Sequence, residues 1–302
     1  MEFTRCGIIS ILGRPNVGKS TLLNRLVGEK VAIVSPKPQT TRNRITGILN
    51  RDGCQYVFLD TPGLHKPRSR LGQRMVRSIY DSISDIDLAL LIVEPDKPPQ
   101  KPERLLVERI QREEIPCILV INKADSVQKE LMLPVIQKYG EMNAFKDIVP
   151  ISAKSGDGVD HLLALVKSHL PEGEAIYPED MLTDQTERQI ASETVREKLL
   201  KLLEDEVPHG IAVETSAFVE KPGLLSLEMT VYCDKESHKG IIIGKNGDML
   251  KKVGTMARED LEAFFGTKVF LNIWVRVKND WKNNDYLMHE FGFDEDTDNW
   301  KA

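Results

Sequence analysis

The sequence predicts an α/β fold, a mainly parallel sheet with helices on both faces, followed by a smaller α+β domain. Three observations carry this expectation. Short apolar runs alternate with helical patterns as far as Leu170. A stretch rich in proline, glycine and acid then breaks the alternation. Beyond it the pattern reads helix, strand, strand, helix, helix, strand. Continuous apolar strands separated by helices imply parallel pairing, because such strands must be covered on both faces.

The elements follow in order. Strands are expected over residues 7–12, 56–59, 88–93, 117–121 and 148–151. Helical spacing covers 71–84, 103–112, 130–139 and 159–169. Residues 171–185, with Pro171 and Pro178 around acidic positions, read as a linker between a first domain at 1–170 and a second at 186–282. In the second, a helix over 187–206 carries Ile190, Val195, Leu199, Leu202 and Leu203 on one stripe, with a solvated charged face opposite. Strand-like runs at 211–219 and 225–232 flank Pro222 and Gly223, and a strand at 269–277 closes the domain. The acidic tail, 283–302, reads as irregular and loosely held.

Composition bounds the function. The 302 residues are 41% hydrophobic and 29% charged, as in an ordinary globular protein, with a net charge of -5. That balance argues against coating nucleic acid by bulk charge, but leaves room for a local basic groove. Cys6, Cys54, Cys117 and Cys233 lie far apart and read as reduced, buried thiols of a cytoplasmic protein. No charged-then-apolar leader opens the chain. The apolar runs fall short of the roughly 20 residues a spanning helix needs, so any membrane role is expected to be peripheral.

Gly13-Arg14-Pro15-Asn16-Val17-Gly18-Lys19-Ser20 matches the phosphate loop G-x-x-x-x-G-K-[ST], with Thr21 opening a helix behind it. Backbone N–H groups of such a loop cradle phosphates, and the helix N-terminus adds positive potential. Lys19 can reach the β- and γ-phosphates, and the Ser20 hydroxyl can ligate Mg²⁺. Asp60-Thr61-Pro62-Gly63 ends a strand; its acid can hold Mg²⁺ and the Gly63 N–H can sense the γ-phosphate. Asn122-Lys123-Ala124-Asp125 ends another, and Asp125 can accept hydrogen bonds from guanine N1–H and its amino group, which adenine does not offer. Ser152-Ala153-Lys154 supplies a backbone N–H for the guanine 6-oxo group. All four segments follow predicted strands, at the edge where open α/β sheets bind ligands. GTP or GDP with Mg²⁺ is therefore the expected ligand set.

With these motifs the first domain resembles the translation-factor-related small GTPases. The run from Val31 to Arg42 further resembles the Era family of bacterial ribosome-assembly GTPases. The resemblance covers nearly the whole chain. It implies a P-loop GTPase domain with slow turnover, because Leu64 stands where Ras-like enzymes place a water-orienting glutamine. Asn16 matches the asparagine that helps hold K⁺ in related families. One of Thr40 and Thr41, Thr41 by preference, is expected to bind Mg²⁺ only while the γ-phosphate is present. Lys19, Asn16, Thr41 and Gly63 form the expected catalytic set, and Ser20, Thr41 and Asp60 the metal set.

The second domain carries Gly244-Lys245-Asn246-Gly247 between two helical segments. A lone G-x-x-G is weak, but here it follows two strands and lies beside Lys239, Lys251 and Lys252. It resembles the core of a type II KH domain, which grips about four single-stranded nucleotides. Ile241, Ile242 and Ile243 are expected to floor the groove in part. The Era resemblance implies that the RNA is the 3′ end of 16S ribosomal RNA, during 30S subunit maturation. It also implies peripheral association with the inner face of the cell membrane; a monomer is the default. Three other readings stand beside this one: a GTPase of tRNA modification, which would need a modification domain with catalytic residues that the sequence does not show, a peripheral membrane GTPase whose KH region docks proteins, and an RNA-binding protein with a degenerate nucleotide site.

Overall fold

The computed structural model describes residues 3–293. They form two units, the first comprising 3–34, 41–67 and 74–184, the second 35–40, 68–73 and 185–293.

The chain runs β1 (Arg5–Gly13), α1 (Lys19–Val27), β2 (Ile45–Arg51), β3 (Cys54–Asp60), α2 (Arg70–Asp81), β4 (Leu88–Val93), α3 (Lys101–Arg112), β5 (Cys117–Ile121), α4 (Lys129–Gly140), β6 (Asp147–Pro150) and α5 (Val159–His169). The sheet order is β2-β3-β1-β4-β5-β6, parallel except for the antiparallel edge strand β2. Strands β3, β4 and β5 are buried at every position because the sheet lies between two apolar layers. Leu22 and Leu26 of α1 with Leu162 and Val166 of α5 cover one face. Ile79 of α2, Leu106 and Ile110 of α3 and Val135 of α4 cover the other.

Strand β2 is absent from the sequence reading. Its Gly47 sits under α1, where a Cβ would lie 2.5 Å from Leu23 Cδ1, so the helix approaches this strand at the residue that weakens its strand signal. Residues 171–184, expected as a linker, instead line the outer edge of the sheet. Ile48 N donates to Leu182 O at 2.8 Å, and Gln55 Oε1 accepts from Ile176 N and Tyr177 N at 2.7 and 2.8 Å. Paired this way, the free edge of β2 is blocked.

The second unit adds α6 (Glu187–Leu202), β7 (Ala212–Lys221), β8 (Leu224–Cys233), α7 (Glu236–Ile243), α8 (Asp248–Phe265), β9 (Lys268–Val277) and α9 (Asp285–Glu290). Strand β8 is central, antiparallel to β7 and parallel to β9. Helix α6 begins at a capping box of Thr186 and Gln189. Its expected solvated face is not solvated: Arg196, Glu197 and Lys198 are all buried. Lys198 pairs with Glu197 at 3.0 Å and with Asp260 of α8, and Lys201 reaches Glu197 at 3.1 Å. Partners on α6 itself, together with Asp260 on α8, permit this burial.

Residues 281–293, the end of the expected second domain and the start of the expected loose tail, are also folded. Trp281 is fully buried and donates from Nε1 to Gly210 O at 2.9 Å. Phe293 stacks on it at 5.6 Å, and Phe291 stacks on Tyr232 at 4.3 Å. The acidic run Asp294–Asp298 lies outside the described residues. All four cysteines are free and buried; burial pushes the Cys117 thiol up to about 12.

Candidate functional site

The strand order turns at β1, whose neighbours are β3 on one side and β4 on the other. The crevice at that turning point is where open parallel sheets take ligands. Residues 14–18 arch from the end of β1 to the start of α1. Lys19 is buried under this arch, donating from Nζ to the carbonyls of Gly13 and Arg14 at 3.3 and 3.1 Å. Burial pulls its pKa down, and the charge of Asp60 opposes that.

Asp60 closes β3 and is fully buried. Burial raises its carboxyl pKa, against the opposing pull of Lys19, Ser20 and Thr41. Ser20 Oγ donates to Asp60 Oδ2 at 2.6 Å and lies 2.9 Å from Thr41 Oγ1, which itself donates to Oδ2 at 3.3 Å. The second carboxylate oxygen, Oδ1, is buried without a hydrogen-bond partner. Three hard oxygen donors converging beside an orphaned carboxylate oxygen fit Mg²⁺. When bound, the ion would offset phosphate charge; Ser20, Thr41 and Asp60 are the residues placed to hold it. Thr40 is not among them, because its hydroxyl donates to Lys37 O at 2.6 Å within its own loop. Thr41→Ala should therefore raise the Mg²⁺ concentration needed for half-maximal GTP hydrolysis about tenfold, the loss of one hydrogen-bonded oxygen ligand. Thr40→Ala should leave it unchanged in the same titration; equal shifts would contradict the assignment.

The other motif residues divide into those that face a ligand and those that brace the site. Arg14 turns to α3, where its Nε stands 2.9 Å from a buried Glu103 carboxylate, close but not aligned as a hydrogen bond. Val17 is core. Thr61 donates to Ile11 O at 2.9 Å, and Leu64 N donates to Gly13 O at 3.0 Å. Pro62 and Gly63 are buried between them; a Cβ on Gly63 would meet Pro15 N at 2.6 Å, so the turn touches the phosphate loop directly. The Leu64 side chain is packed in the core. His65, overlooked in the sequence, anchors Nδ1 on Gly63 O at 2.8 Å, and its Nε2 is buried without a hydrogen-bond partner.

Asn122, the first residue of the Asn122–Asp125 motif, is a brace. Its Nδ2 donates to Val17 O at 2.7 Å and its Oδ1 accepts from Ala153 N at 2.9 Å, tying the phosphate loop to residues 152–154. Ser152 N donates to Asp157 O at 2.9 Å, which leaves the Lys154 N–H without a partner among the described residues. Lys123 crosses to the phosphate loop, donating to Asn16 O at 2.7 Å and to Glu94 Oε1 at 2.8 Å. Burial pushes the Glu94 carboxyl up, but hydrogen bonds from Lys123 and Lys97 outweigh it and hold the group below its ordinary value. Asn16 itself is exposed, with φ 64°. Asp125 is exposed on the 3₁₀ turn Ala124–Ser126, its carboxylate without a protein hydrogen bond among the described residues. A cavity of about 360 Å³, lined by Thr21, Asn24, Arg25, Val34, Ala153 and Lys154 among others, adjoins these groups. Its volume suits a small molecule.

In the second unit, Gly244–Gly247 joins α7 to α8, with Lys245, Lys251 and Lys252 exposed around it and Lys239 half-buried. No atom lies within 4 Å of where a Gly247 Cβ would be, so the loop's surface is bare. A groove of about 340 Å³ runs from Gly247 between α8 and β9. Its apolar floor is Leu250, Leu271 and Ile273, with Lys251 and Arg258 on the rim. The expected isoleucines do not line it: Ile242 is in the core and Ile241 is exposed on α7. Helix α8 turns its own apolar residues to the groove, a consequence of the pairing with β9 that local sequence does not carry.

Family models match at two places: one described as a 50S ribosome-binding GTPase over residues 8–123, and a KH domain over 206–282. GTPase Era of Ruminiclostridium cellulolyticum is 46% identical over 290 residues, 96% of this chain and 97% of the relative. The chain belongs to the GTPase Era family. GTPase Era of Clostridium kluyveri is 49% identical, again over 96% of this chain and 99% of its own length. The crystal structure of Era with MgGDPNP and nucleotides 1506–1542 of 16S ribosomal RNA superposes with a TM-score of 0.93 at 38% identity, covering 96% and 99% of the two chains. As an Era-family member the chain is a GTPase; the KH match at 206–282 lies within its second unit, and most of the GTPase match at 8–123 within its first. Among the described residues no helix is long and apolar enough to cross a membrane.

Proposed function

We propose that the chain is a GTP-driven switch that binds the 3′ end of 16S ribosomal RNA and assists maturation of the 30S subunit. One observation supports the switch above all. Consecutive residues of a single loop serve different units. The Thr41 hydroxyl belongs to the Ser20–Asp60 cluster, while the Thr40 carbonyl accepts a hydrogen bond from Arg196 Nη2 in the KH unit. Arg196 is buried and is gripped by Glu193, with Nε to Oε1 at 2.7 Å and Nη2 to Oε2 at 2.6 Å. A Mg²⁺–γ-phosphate complex that orders Thr41 orders the peptide that Arg196 holds.

The groove between α8 and β9 supports the RNA half of the reading, as does the related Era seen with 16S nucleotides. The test is affinity for 16S 3′-end oligonucleotides with a GTP analogue and with GDP. Binding is expected to be about tenfold tighter in one nucleotide state, a coupling within the ordinary allosteric range. Arg196→Met should abolish that difference while GTP hydrolysis persists. Equal affinities in the wild type would remove the switch.

Lys19 and the metal cluster position the triphosphate, and no glutamine stands at Leu64 to orient water, so intrinsic turnover is slow. A K⁺ ion held through Asn16 belongs to the same proposal; hydrolysis should then be faster in K⁺ than in Na⁺, and equal rates would exclude it. So do a monomeric state and peripheral contact with the inner face of the cell membrane, tested by sedimentation velocity and by flotation with anionic-lipid vesicles.

A further inference from the structure

Strand β9 has two working faces. Side chains alternate along a strand. Val269, Leu271, Ile273 and Val275 turn inward with Leu225, Leu227, Met229 and Val231 of β8. Phe270, Asn272, Trp274 and Arg276 turn to the opposite face of the sheet. Phe270 is 58% exposed and Trp274 56%. Large aromatic rings normally carry burial energy, and these two contribute little of it. They stand four residues apart, about 13 Å at the usual strand rise.

Their setting is specific. Strand β9 is an edge strand, paired with β8 alone. Its only charged side chains are basic, Lys268 and Arg276, one beyond each ring. Lys268 has Glu262 at 4.0 Å. On the same face β8 and β7 offer Glu228 beside Asn272, and Glu214, which already accepts a hydrogen bond from Tyr232. Asn272 separates the rings along the strand, and the exposed Val219 of β7 lies two strands from Phe270, across Ser226, so each ring stands singly between cations. A protein-docking patch has a contiguous apolar centre. Separate rings flanked by basic groups are the pattern that takes unstacked bases one at a time. The groove floor, Leu271 and Ile273, is interleaved with these rings on the same strand.

We propose that the outer face of β9 is a base-stacking platform for single-stranded RNA, with Phe270 and Trp274 each receiving one base of a strand that leaves the α8–β9 groove around the sheet edge. The proposal rests on the RNA-binding reading above and extends it beyond the four nucleotides a KH groove holds.

The test uses the full chain with a GTP analogue and nested 16S 3′-terminal oligonucleotides, from four nucleotides to a dozen, in an anisotropy assay. Wild type should gain affinity with each step beyond the groove. The Phe270→Ala/Trp274→Ala double variant should bind the shortest oligonucleotide as wild type does, yet lose about tenfold or more on the longest, the effect of removing stacking partners. Phe270→Tyr/Trp274→Tyr should restore it. Both positions are exposed, and an unchanged melting temperature establishes that the variants fold. Equal length dependence in wild type and double variant overturns the platform, as does a loss of 30S-subunit binding with oligonucleotide affinity intact, which would make the face a protein contact. If wild type binds no oligonucleotide of any length, the RNA reading itself fails. If it binds the shortest and gains nothing with length, only the platform fails.

Discussion

Asp125→Asn is expected to weaken GTP binding roughly 10²- to 10⁴-fold: one hydrogen bond to a charged acceptor, about 1.5–3 kcal/mol, is lost, and a donor left facing a donor costs about 1–3 kcal/mol more. The carboxylate stands on a short turn whose Ala124 N–H is fastened to Ile151 O at 3.0 Å, so the acceptor is held at the strand ends and has no protein partner to satisfy. Guanine presents two donors to it, and a carboxamide presents a donor of its own in the place of one acceptor. The same change should raise affinity for xanthosine triphosphate, whose 2-oxo group accepts where guanine's amino group donates. Competition of both nucleotides against a fluorescent GDP measures the exchange. Unchanged preference for GTP would show that another group reads the base. Folding should be unaffected, because the side chain is exposed.

Gly18→Ala should abolish nucleotide binding and lower stability together. Gly18 has φ 100°, in a region that L side chains rarely adopt. A Cβ there would lie 2.1 Å from Asn122 Nδ2. That amide donates to Val17 O, so the methyl group must displace the bond joining the phosphate loop to residues 152–154. Backbone strain together with a broken buried hydrogen bond costs about 2–5 kcal/mol. Calorimetric titration with MgGTP should give no heat, and chemical denaturation should show the loss of stability. The double variant Gly18→Ala/Asn122→Ala should be less unstable than the sum of the two single changes, because both damage the same bond. Strict additivity would mean that the clash is relieved elsewhere.

The nucleotide site was legible where the chemistry is local. A phosphate loop, its lysine and the acids that end strands are contiguous in sequence, and each occupies the predicted edge of the sheet. What was illegible depends on distant partners. Nothing near Arg196 or Lys198 in sequence reveals that Thr40 and Asp260 meet them, so a helix face rich in charge reads as solvated although it is buried. Asn122 lies within a base-recognition motif, and only the fold reveals that both ends of its amide are engaged by protein. Strand β2 hid behind Gly47, and the groove floor hid because Leu250 and Leu271 come together only through the packing of α8 on β9. The tail misled for a different reason. Its acidic run outweighed two aromatic anchors, Phe291 and Phe293, which pack on Tyr232 and on Trp281 just ahead of the tail.

Those anchors bear on how the chain matures. Translation delivers residues 281–293 after every other described element, and domains fold in order of emergence. Until that segment leaves the ribosome, Gly210 O lacks the indole that bonds it and the ring of Tyr232 lacks its cover. A nascent chain halted before Trp281 would thus leave the Gly210 carbonyl and the face of Tyr232 open to water.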